Sequence, residues 1–305
     1  MAGKLLSILA CLIPLAAVVS SGWAEDLPAG GVELVDATGL QFRSARPPER
    51  LISLNPDLTE NLIALGAGDR LVGVSDFCPL PDPGSAERLG GLRNPGLERI
   101  VSLRPDLVLA TREGNSPETV SRLRSLGLPV LVFSESNDFS AYFSFLRELG
   151  AVLGREEAAA ELAGELETLI EEVRSRGTAA PPPRVLVQIG VTPLVTAARD
   201  TLIGEMIELA GGRNIAAGLS PRYPAISRER VLAEDPEVIV VAAMGSEAEE
   251  AMTYWRRFPE LRAVRNGRVF LLDPDTVCRL GPRLGEGLEL LTLFITGRAA
   301  GGENR

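Results

Sequence analysis

Short apolar runs alternate with amphipathic segments along the chain from Arg50 onward. The segment PDLTENLIALGAG places Leu58, Leu62 and Leu65 at helical spacing and ends at glycines, which are helix stop signals. Strands that alternate with helices predict a parallel sheet covered by helices on both faces. The first half is therefore predicted to be an α/β lobe with the strands RLISLN, DRLVGVS, DLVLA and LPVLVF and the closing helix DFSAYFSFLRELGAVLG.

The same alternation begins again after Pro183, which predicts a second lobe of similar construction. Between the lobes, residues 155–177 consist mostly of strong helix formers and carry a single apolar stripe. Trp255 follows a helical pattern, and we expect it to pack in the core against the strand GRVFLL. The other elements predicted in this half are the strands RVLVQIG and EVIVVAA and the helices TLIGEMIELAGG, SRERVLAED, EAEEAMTYWRRF and PRLGEGLELLTLFITGRA.

These patterns predict an α/β fold of two parallel-sheet lobes joined by one long rigid helix, which at about 20 residues would span about 30 Å. Open parallel sheets bind ligands outside the carboxyl ends of their strands, so a ligand cleft is expected between the lobes. The stretch GVELVDATGLQFRS predicts a β-hairpin at the edge of the first lobe. The expected boundaries are a signal peptide at residues 1–24, an N-terminal lobe at 25–154, a linking helix at 155–179 and a C-terminal lobe at 180–305.

One helix-to-strand unit occurs in both lobes, as LERIVSLRPDLVLA in the first and SRERVLAEDPEVIVV in the second. Glu98 corresponds to Glu229, and Asp106 corresponds to Glu237. The order of the surrounding elements is the same in both places, which favours two related lobes over coincidence. A glutamate in a first helical turn also complements the helix dipole, so the pattern alone leaves the role of the two glutamates open.

The first 24 residues have the features of a cleaved secretory signal peptide. Lys4 precedes an apolar run from Leu5 to Val19, and Gly22 and Ala24 supply the small residues before a cut. The apolar run is short for a membrane span, and a proline interrupts it. We therefore expect the protein to be exported from the cytoplasm.

Removal of the signal peptide would leave two cysteines, Cys78 and Cys278, in predicted cleft loops of opposite lobes. An exported protein with an even number of cysteines permits a disulfide, which would lock the two lobes together. Thiolate ligation of a bound metal would require a lowered thiol pKa. Two unpaired thiols are the first expectation.

Composition excludes several classes of function. The 305-residue chain contains no histidine, which rules out imidazole metal sites and catalytic triads with a histidine base. Its formal net charge of −10 argues against nucleic-acid binding. The predicted cleft loops contain neither a P-loop nor a GxGxxG motif. A two-lobed exported protein of this kind is typical of a binding protein, so we expect a monomer with no enzymatic activity and no resident metal or cofactor.

From Arg50 to about Leu291 the chain resembles the periplasmic substrate-binding proteins of iron-chelate and vitamin B12 ABC importers, a family of receptors with a helical spine. Within this family the resemblance is strongest to members that bind cobalamin. The ordered succession of many short stretches carries the resemblance. The matching stretches are LVGVSDFC, LERIVSLRPDLVLA, REGN, SRLRSLGLPV, RVLVQIGVTP, GGRNI, SRERVLAEDPEVIVV, RNGRVF and the GPR that follows Arg279.

The resemblance implies a protein that binds a metal chelate, first of all vitamin B12 or another corrinoid, and delivers it to an inner-membrane permease. A ferric siderophore is the alternative within the class, because Arg112, Arg222 and Arg279 suit an anionic chelate. Arg112 either faces the ligand or pairs with Glu113. Haem fits less well without histidine, although Tyr223 is a type of iron ligand.

Two alternatives lie outside this class of receptors. One is an enzyme related to nitrogenase-type metallocluster proteins, against which the missing histidine and the lack of clustered cysteines argue. The other is an exported module that binds a partner without any small ligand. A binding scan would separate both alternatives from a chelate receptor.

The resemblance also implies roles for residues at matching positions. Glu98 and Glu229 match the two carboxylates with which these receptors contact arginines of the two permease subunits, and such pairs are directional and charge-assisted. Phe77 and Tyr223 match two aromatic positions that hold a corrin ring.

Asp275 and Arg279 match polar positions in a cleft loop of the second lobe. Elsewhere in the cleft this chain has fewer aromatic rings than its cobalamin-binding relatives. The residues that stand at such aromatic positions are Leu92, Thr111, Ile189 and Val195.

Overall fold

Two parallel β-sheets, one at the centre of each lobe, organise the protein. The structure is a computed structural model that describes residues 31–80, 82, 84–134, 137–176, 181–245 and 247–297. The predicted signal peptide at 1–24 and the last residues of the predicted linking helix, 177–179, lie outside these ranges. The predicted fold of two α/β lobes with parallel sheets is confirmed.

The strands β3 to β7 of the first lobe form one parallel sheet in the order β5-β4-β3-β6-β7, and β1 and β2 form the predicted antiparallel hairpin. The strands are β1 Val32–Val35, β2 Gln41–Ser44, β3 Leu51–Ser53, β4 Leu71–Val74, β5 Glu87–Arg88, β6 Leu107–Thr111 and β7 Val130–Phe133. The helices of this lobe are α1 Pro56–Ala64, α2 Leu97–Ser102 and α3 Pro117–Ser125, and they are followed by α4 Phe139–Leu153 and α5 Glu156–Ser175.

The second lobe repeats this arrangement with the sheet order β10-β8-β11-β12, in which these strands are parallel and β9 pairs antiparallel with β8. The strands are β8 Arg184–Gly190, β9 Val195–Thr196, β10 Arg213–Asn214, β11 Val238–Val241 and β12 Val269–Leu271. The helices are α6 Leu202–Leu209, α7 Arg228–Glu234, α8 Glu247–Trp255, α9 Arg262–Arg265 and α10 Leu284–Thr296.

The predicted linking helix is present as α5, and α4 packs against it as an antiparallel partner. Tyr142 of α4 and Ile170 and Val173 of α5 belong to the same apolar core as Val185 of β8, in the second lobe. The other end of the pair belongs to the core of the first lobe, where Leu149 of α4 packs. The sequence analysis placed α4 within the first lobe, but its apolar face is long enough to contribute to both cores.

The turn between α4 and α5 depends on two glycines. Gly154 ends α4 with a left-handed φ of 63°, a conformation that favours glycine. A Cβ on Gly150 would stand 2.6 Å from the Cβ of Ala159, so the missing side chain lets the two helices approach closely. The close approach makes the pair a compact spine that belongs to both lobes.

The repeated helix-to-strand unit has a left-handed residue at the same place in both lobes. Arg104 and Asp235 occupy the same place in the unit, and both are left-handed, with φ of 46° and 45°. The carboxylate of Asp106 accepts hydrogen bonds from the backbone amides of Glu49 and Arg50 at 3.0 Å. Its counterpart in the second lobe accepts from the backbone amide at the start of β8, also at 3.0 Å. This acidic position of the repeat therefore ties the unit to the first strand of each sheet.

Trp255 is fully buried in a core of the second lobe that also includes Val269 of β12, which confirms its predicted packing. Its indole Nε1 donates to Oε1 of Gln188 at 2.7 Å. Gln188 lies in the central strand β8 and is also buried. The indole is therefore both a large apolar group and the partner of a buried amide.

We expect Trp255→Phe to lower the free energy of unfolding by about 2–4 kcal/mol, because it leaves a cavity and an unpaired amide oxygen. Urea denaturation followed by circular dichroism measures the loss. In a Gln188→Leu background the same change should cost less, because the acceptor is already absent. Equal costs in both backgrounds would show that the hydrogen bond contributes nothing.

Candidate functional site

The lobes meet at the carboxyl ends of their sheets, where side chains from one lobe contact the other. Helix α1 begins directly after β3, because the Asn55 side chain caps it by accepting from the Asp57 amide at 2.8 Å and Pro56 occupies its first turn. This placement brings the first turns of α1 against the segment that follows β12 in the other lobe. The predicted cleft therefore has a defined base at this junction.

Arg279 forms ion pairs with carboxylates from both lobes at this base. Its Nη1 lies 2.8 Å from Oε1 of Glu60 in α1, and its Nε lies 3.0 Å from Oδ1 of Asp275. The Arg279 and Glu60 side chains are 24% and 12% exposed, so the cross-lobe pair is largely shielded from solvent. The structure thus brings the predicted residues Asp275 and Arg279 together, and it adds Glu60, which the sequence analysis missed.

Asn61 connects the spine with both lobes beside this ion pair. The buried amide donates to the carbonyl oxygens of Leu280 and Asp57, each at 2.7 Å, and accepts from the Tyr142 hydroxyl at 2.8 Å. Burial raises the pKa of Tyr142, and the nearby carboxylates of Glu60 and Asp57 raise it further. The phenol therefore stays protonated and remains a hydrogen-bond donor.

A second group of contacts joins the start of the spine to the second lobe. Nη1 of Arg222, in the loop before α7, donates to Oδ1 of Asn137 at 2.5 Å. The backbone amide of Phe139, at the start of α4, donates to Oε2 of Glu205 at 3.0 Å. Burial raises the pKa of Glu205, which this amide partly opposes. Polar contacts thus fix the start of the spine against the second lobe.

Phe77 and Tyr223 lie on opposite lobes and expose their rings, at 64% and 49% respectively. Phe77 follows the carboxyl end of β4, and Tyr223 lies in the loop between β10 and α7. Met244, 71% exposed, follows the inner strand β11 and is a third large apolar side chain at the cleft end of a sheet. The sequence analysis missed Met244, although its place just beyond the apolar strand EVIVVAA was a usable signal.

The remaining predicted cleft positions differ in their exposure to solvent. Thr111 is buried, and its hydroxyl accepts from Nδ2 of Asn55 at 3.0 Å, so it stabilises the loop after β6. Arg112 is exposed and lies 3.3 Å from Oε1 of Glu113, with Ser134 as a further partner at 3.1 Å. The pairing with Glu113 is thus one of the two alternatives that the sequence left open. Partly buried side chains occupy the other three positions, Leu92, Ile189 and Val195.

Both cysteines are unpaired, as expected. Cys78 is buried, and its sulfur lies 3.0 Å from the Ser75 hydroxyl; burial raises its pKa. Cys278 has an exposed surface, yet the surrounding protein and the carboxylates of Asp275 and Asp57 raise the pKa of its thiol to about 12. Exposure decides whether a reagent can reach a thiol, whereas the pKa of the thiol decides how much reactive thiolate is present. Because the pKa of both thiols is raised, neither cysteine offers a ready thiolate.

Glu98 and Glu229 are exposed in the first turns of α2 and α7, at equivalent places on the two lobes. Glu229 forms an ion pair with Arg228 at 2.9 Å, and its own backbone amide together with Arg228 lowers the pKa of its carboxyl. Both carboxylates are therefore presented to solvent from short, well-positioned helices.

Within the described ranges, no helix has the length and apolar character needed to cross a bilayer. The same ranges contain no group of three or more cysteine, aspartate or glutamate side chains arranged to hold a metal ion. A concave surface of about 450 Å³ lies on the second lobe around Arg199, Glu208 and Arg213. It lies at the β10 edge rather than between the lobes, and Arg199 and Glu208 neutralise one another there at 3.4 Å.

Comparison with known proteins places these features in a family. A profile of the periplasmic binding protein family matches residues 51–276. The vitamin B12-binding protein of Yersinia pseudotuberculosis is 34% identical over 241 residues, which are 79% of this chain and 84% of that protein.

Solved structures agree with this family. The periplasmic vitamin B12 binding protein of Vibrio cholerae matches with a TM-score of 0.69 at 30% identity, covering 84% of this chain and 99% of that one. A periplasmic haem-binding protein from Pseudomonas aeruginosa matches with a TM-score of 0.70, also at 30% identity, covering 83% and 94% of the two chains. The fold is thus shared by receptors of two different macrocycles.

The raised pKa of Cys278 predicts slow alkylation of an accessible thiol. At pH 8, iodoacetamide should modify Cys278 in the folded protein at least about tenfold more slowly than in the urea-unfolded chain, because the thiolate is scarce. Mass spectrometry over time measures both rates, and Cys78 should react only after unfolding. Asp275→Asn removes a carboxylate that raises this pKa and should speed the reaction. Equal rates in the folded and unfolded chains would contradict the prediction.

Proposed function

Because this chain belongs to the periplasmic binding protein family, we propose that it is the substrate-binding protein of an ABC importer, which binds a corrinoid between its lobes and delivers it to an inner-membrane permease. The observation that carries the ligand assignment is the pair of exposed rings, Phe77 and Tyr223, on cleft-side loops of opposite lobes. The protein acts as a monomeric receptor and catalyses no reaction. Its export from the cytoplasm depends on the signal peptide at residues 1–24.

A corrinoid suits the side chains at this cleft. A corrin is a large, flat, largely apolar ring with amide arms, and such a ligand calls for apolar surface with a few polar groups that fix its orientation. Phe77, Tyr223 and Met244 supply exposed apolar surface, while Asp275 and Arg279 supply polar groups within reach of amides. The vitamin B12-binding relatives support the same ligand class.

Haem is the second candidate, and Tyr223 favours it. A tyrosine oxygen is an established type of haem-iron ligand, which compensates for the absence of histidine. Haem-binding proteins of the same fold match this chain at 30% identity. The two ligands differ in what they require of this residue, because a corrin needs the ring and haem iron needs the oxygen.

We expect cyanocobalamin to bind with little dependence on salt, and Tyr223→Ala to weaken binding by about 1–3 kcal/mol through loss of apolar contact. Tyr223→Phe is the matched control, because it keeps the ring and removes the oxygen. The control should retain corrinoid binding, whereas it should abolish binding of haem through a phenolate. Calorimetric titration of all three proteins at low and high salt measures these effects. No heat with any corrinoid would exclude the corrinoid assignment.

We further propose that Glu98 and Glu229 contact arginines on the two permease subunits. A two-fold permease offers two equivalent surfaces, and each lobe presents one of these carboxylates at the same place in its repeated unit. Both glutamates lie on helices outside the cleft-side loops. Their proposed role is therefore separable from ligand binding.

Changing both Glu98 and Glu229 to arginine should abolish uptake of the ligand, because arginines of the receptor would then face arginines of the permease. The affinity of the receptor for the ligand should stay unchanged, because both positions lie outside the cleft-side loops. The matched control changes Glu118 and Glu249, which are exposed first-turn acids of α3 and α8, to arginine. Each variant places arginines in the first turns of two helices, and α8 keeps Glu247 and Glu250 there. Uptake should fail only in the first variant. Uptake assays in cells and ligand titration of the purified receptors provide the two readouts. Equal loss of uptake in both variants would argue against docking.

A further inference from the structure

Carboxylates neutralise Arg279 at the base of the cleft. Glu60 and Asp275 lie within 2.8 Å and 3.0 Å of its guanidinium, one on each lobe. The second oxygen of Glu60 is buried and has no hydrogen-bond partner among the described residues. A Cβ on Gly281 would stand 2.7 Å from that oxygen, so the glycine leaves the space that the carboxylate occupies.

Acidic groups outnumber arginines around this ion pair. Arg283 lies 2.7 Å from Asp273 and 3.1 Å from Glu286, so its charge is also balanced. Asp57 adds a further carboxylate close enough to act on Arg279. The local field at this end of the cleft is therefore negative, which disfavours an anion.

The other two cleft arginines differ from Arg279. Arg112 pairs with Glu113 at 3.3 Å in a largely exposed position, where solvent screens both charges. Arg222 donates to the neutral amide of Asn137 and forms no ion pair with a carboxylate of the described residues. Among the three arginines that suit an anionic chelate, Arg279 is thus the one whose charge a shielded carboxylate cancels.

We propose that Glu60 is a specificity-determining residue, which cancels the charge of Arg279 and so makes the cleft reject anionic macrocycles while it accepts an uncharged, amide-bearing one. The inference rests on the proposed function and specifies the ligand class of the same cleft. An anionic group that paired with Arg279 in place of Glu60 would leave the Glu60 carboxylate buried without its partner, which would reduce the favourable free energy of binding. An amide can hydrogen-bond at the edge of the ion pair without displacing either partner, so discrimination comes from repulsion of the wrong ligand.

The test compares two rings of the same size, haemin and haemin with both propionates amidated, of which the second has neutral amides in place of the carboxylates. We expect wild type to bind amidated haemin more tightly than haemin. Glu60→Gln should shift the ratio of the two affinities toward haemin by about tenfold, the size expected for a charge interaction in a partly shielded site. High salt should reduce the shift. An unchanged ratio of the two affinities, which includes an equal gain for both rings, would overturn the proposal.

Two controls separate charge from structure. Glu60→Asp keeps the negative charge and should keep the wild-type ratio, whereas a purely structural role would make it resemble Glu60→Gln. Glu171→Gln removes a carboxylate from an exposed ion pair with Arg174 on the spine and should also leave the ratio unchanged. If Glu60→Gln fails to fold, Asp275→Asn removes the other carboxylate that pairs with Arg279 and keeps the cross-lobe pair. The site then becomes less negative, so the ratio should shift in the same direction by a smaller amount; no shift there would overturn the proposal.

Titration of the wild-type protein with cyanocobalamin tests the proposed function separately. Absence of corrinoid binding together with the expected shift in Glu60→Gln would reject the corrinoid and retain the role of Glu60. Corrinoid binding without the shift would retain the function and reject the role of Glu60.

Discussion

The relative placement of the two lobes depends on the packing of α4 and α5 into both hydrophobic cores. Tyr142 and Ile170 lie in the core of the second lobe, while Leu149 and Ala159 lie in the core of the first. Separating or reorienting the lobes would expose apolar surface from both cores at once. The spine is therefore a shared part of the two lobes, and it resists the hinge motion that a flexible linker would permit.

Polar contacts between the lobes add to the hydrophobic packing of the spine in fixing their placement. The buried amide of Asn61 joins α1, the spine hydroxyl of Tyr142 and the carbonyl of Leu280, and the Glu60–Arg279 ion pair lies beside it. These groups are partly or fully shielded, so each loses more when its partner is removed than an exposed pair would. The loops that carry the proposed ligand contacts thus extend from a scaffold whose geometry is already set.

Periodicity was sufficient to predict the fold because the long strands and helices each carry many apolar positions, as in the strand RVLVQIG and the helix α5. The strands β5, β9 and β10 have two residues each, too few for any pattern, and were not predicted. The pattern of strands and helices placed Phe77 and Tyr223 in loops at the cleft, and the family resemblance suggested that their rings contact the ligand. Neither could reveal the partner of Arg279, because Glu60 lies 219 positions away in the chain and only the folded lobes bring the two together.

The repeated units give Glu98 and Glu229 a fixed separation, since each unit is tied to the first strand of its own sheet and the spine holds the sheets. With the proposed docking, a receptor with such a span would present the same two carboxylates to the permease whether it is loaded or empty. Empty copies would then occupy the importer as competitors of loaded ones. Discrimination between them would have to come from the cleft mouth or from the ligand itself, and the rate of import would depend on the ratio of loaded to total receptor rather than on loaded receptor alone.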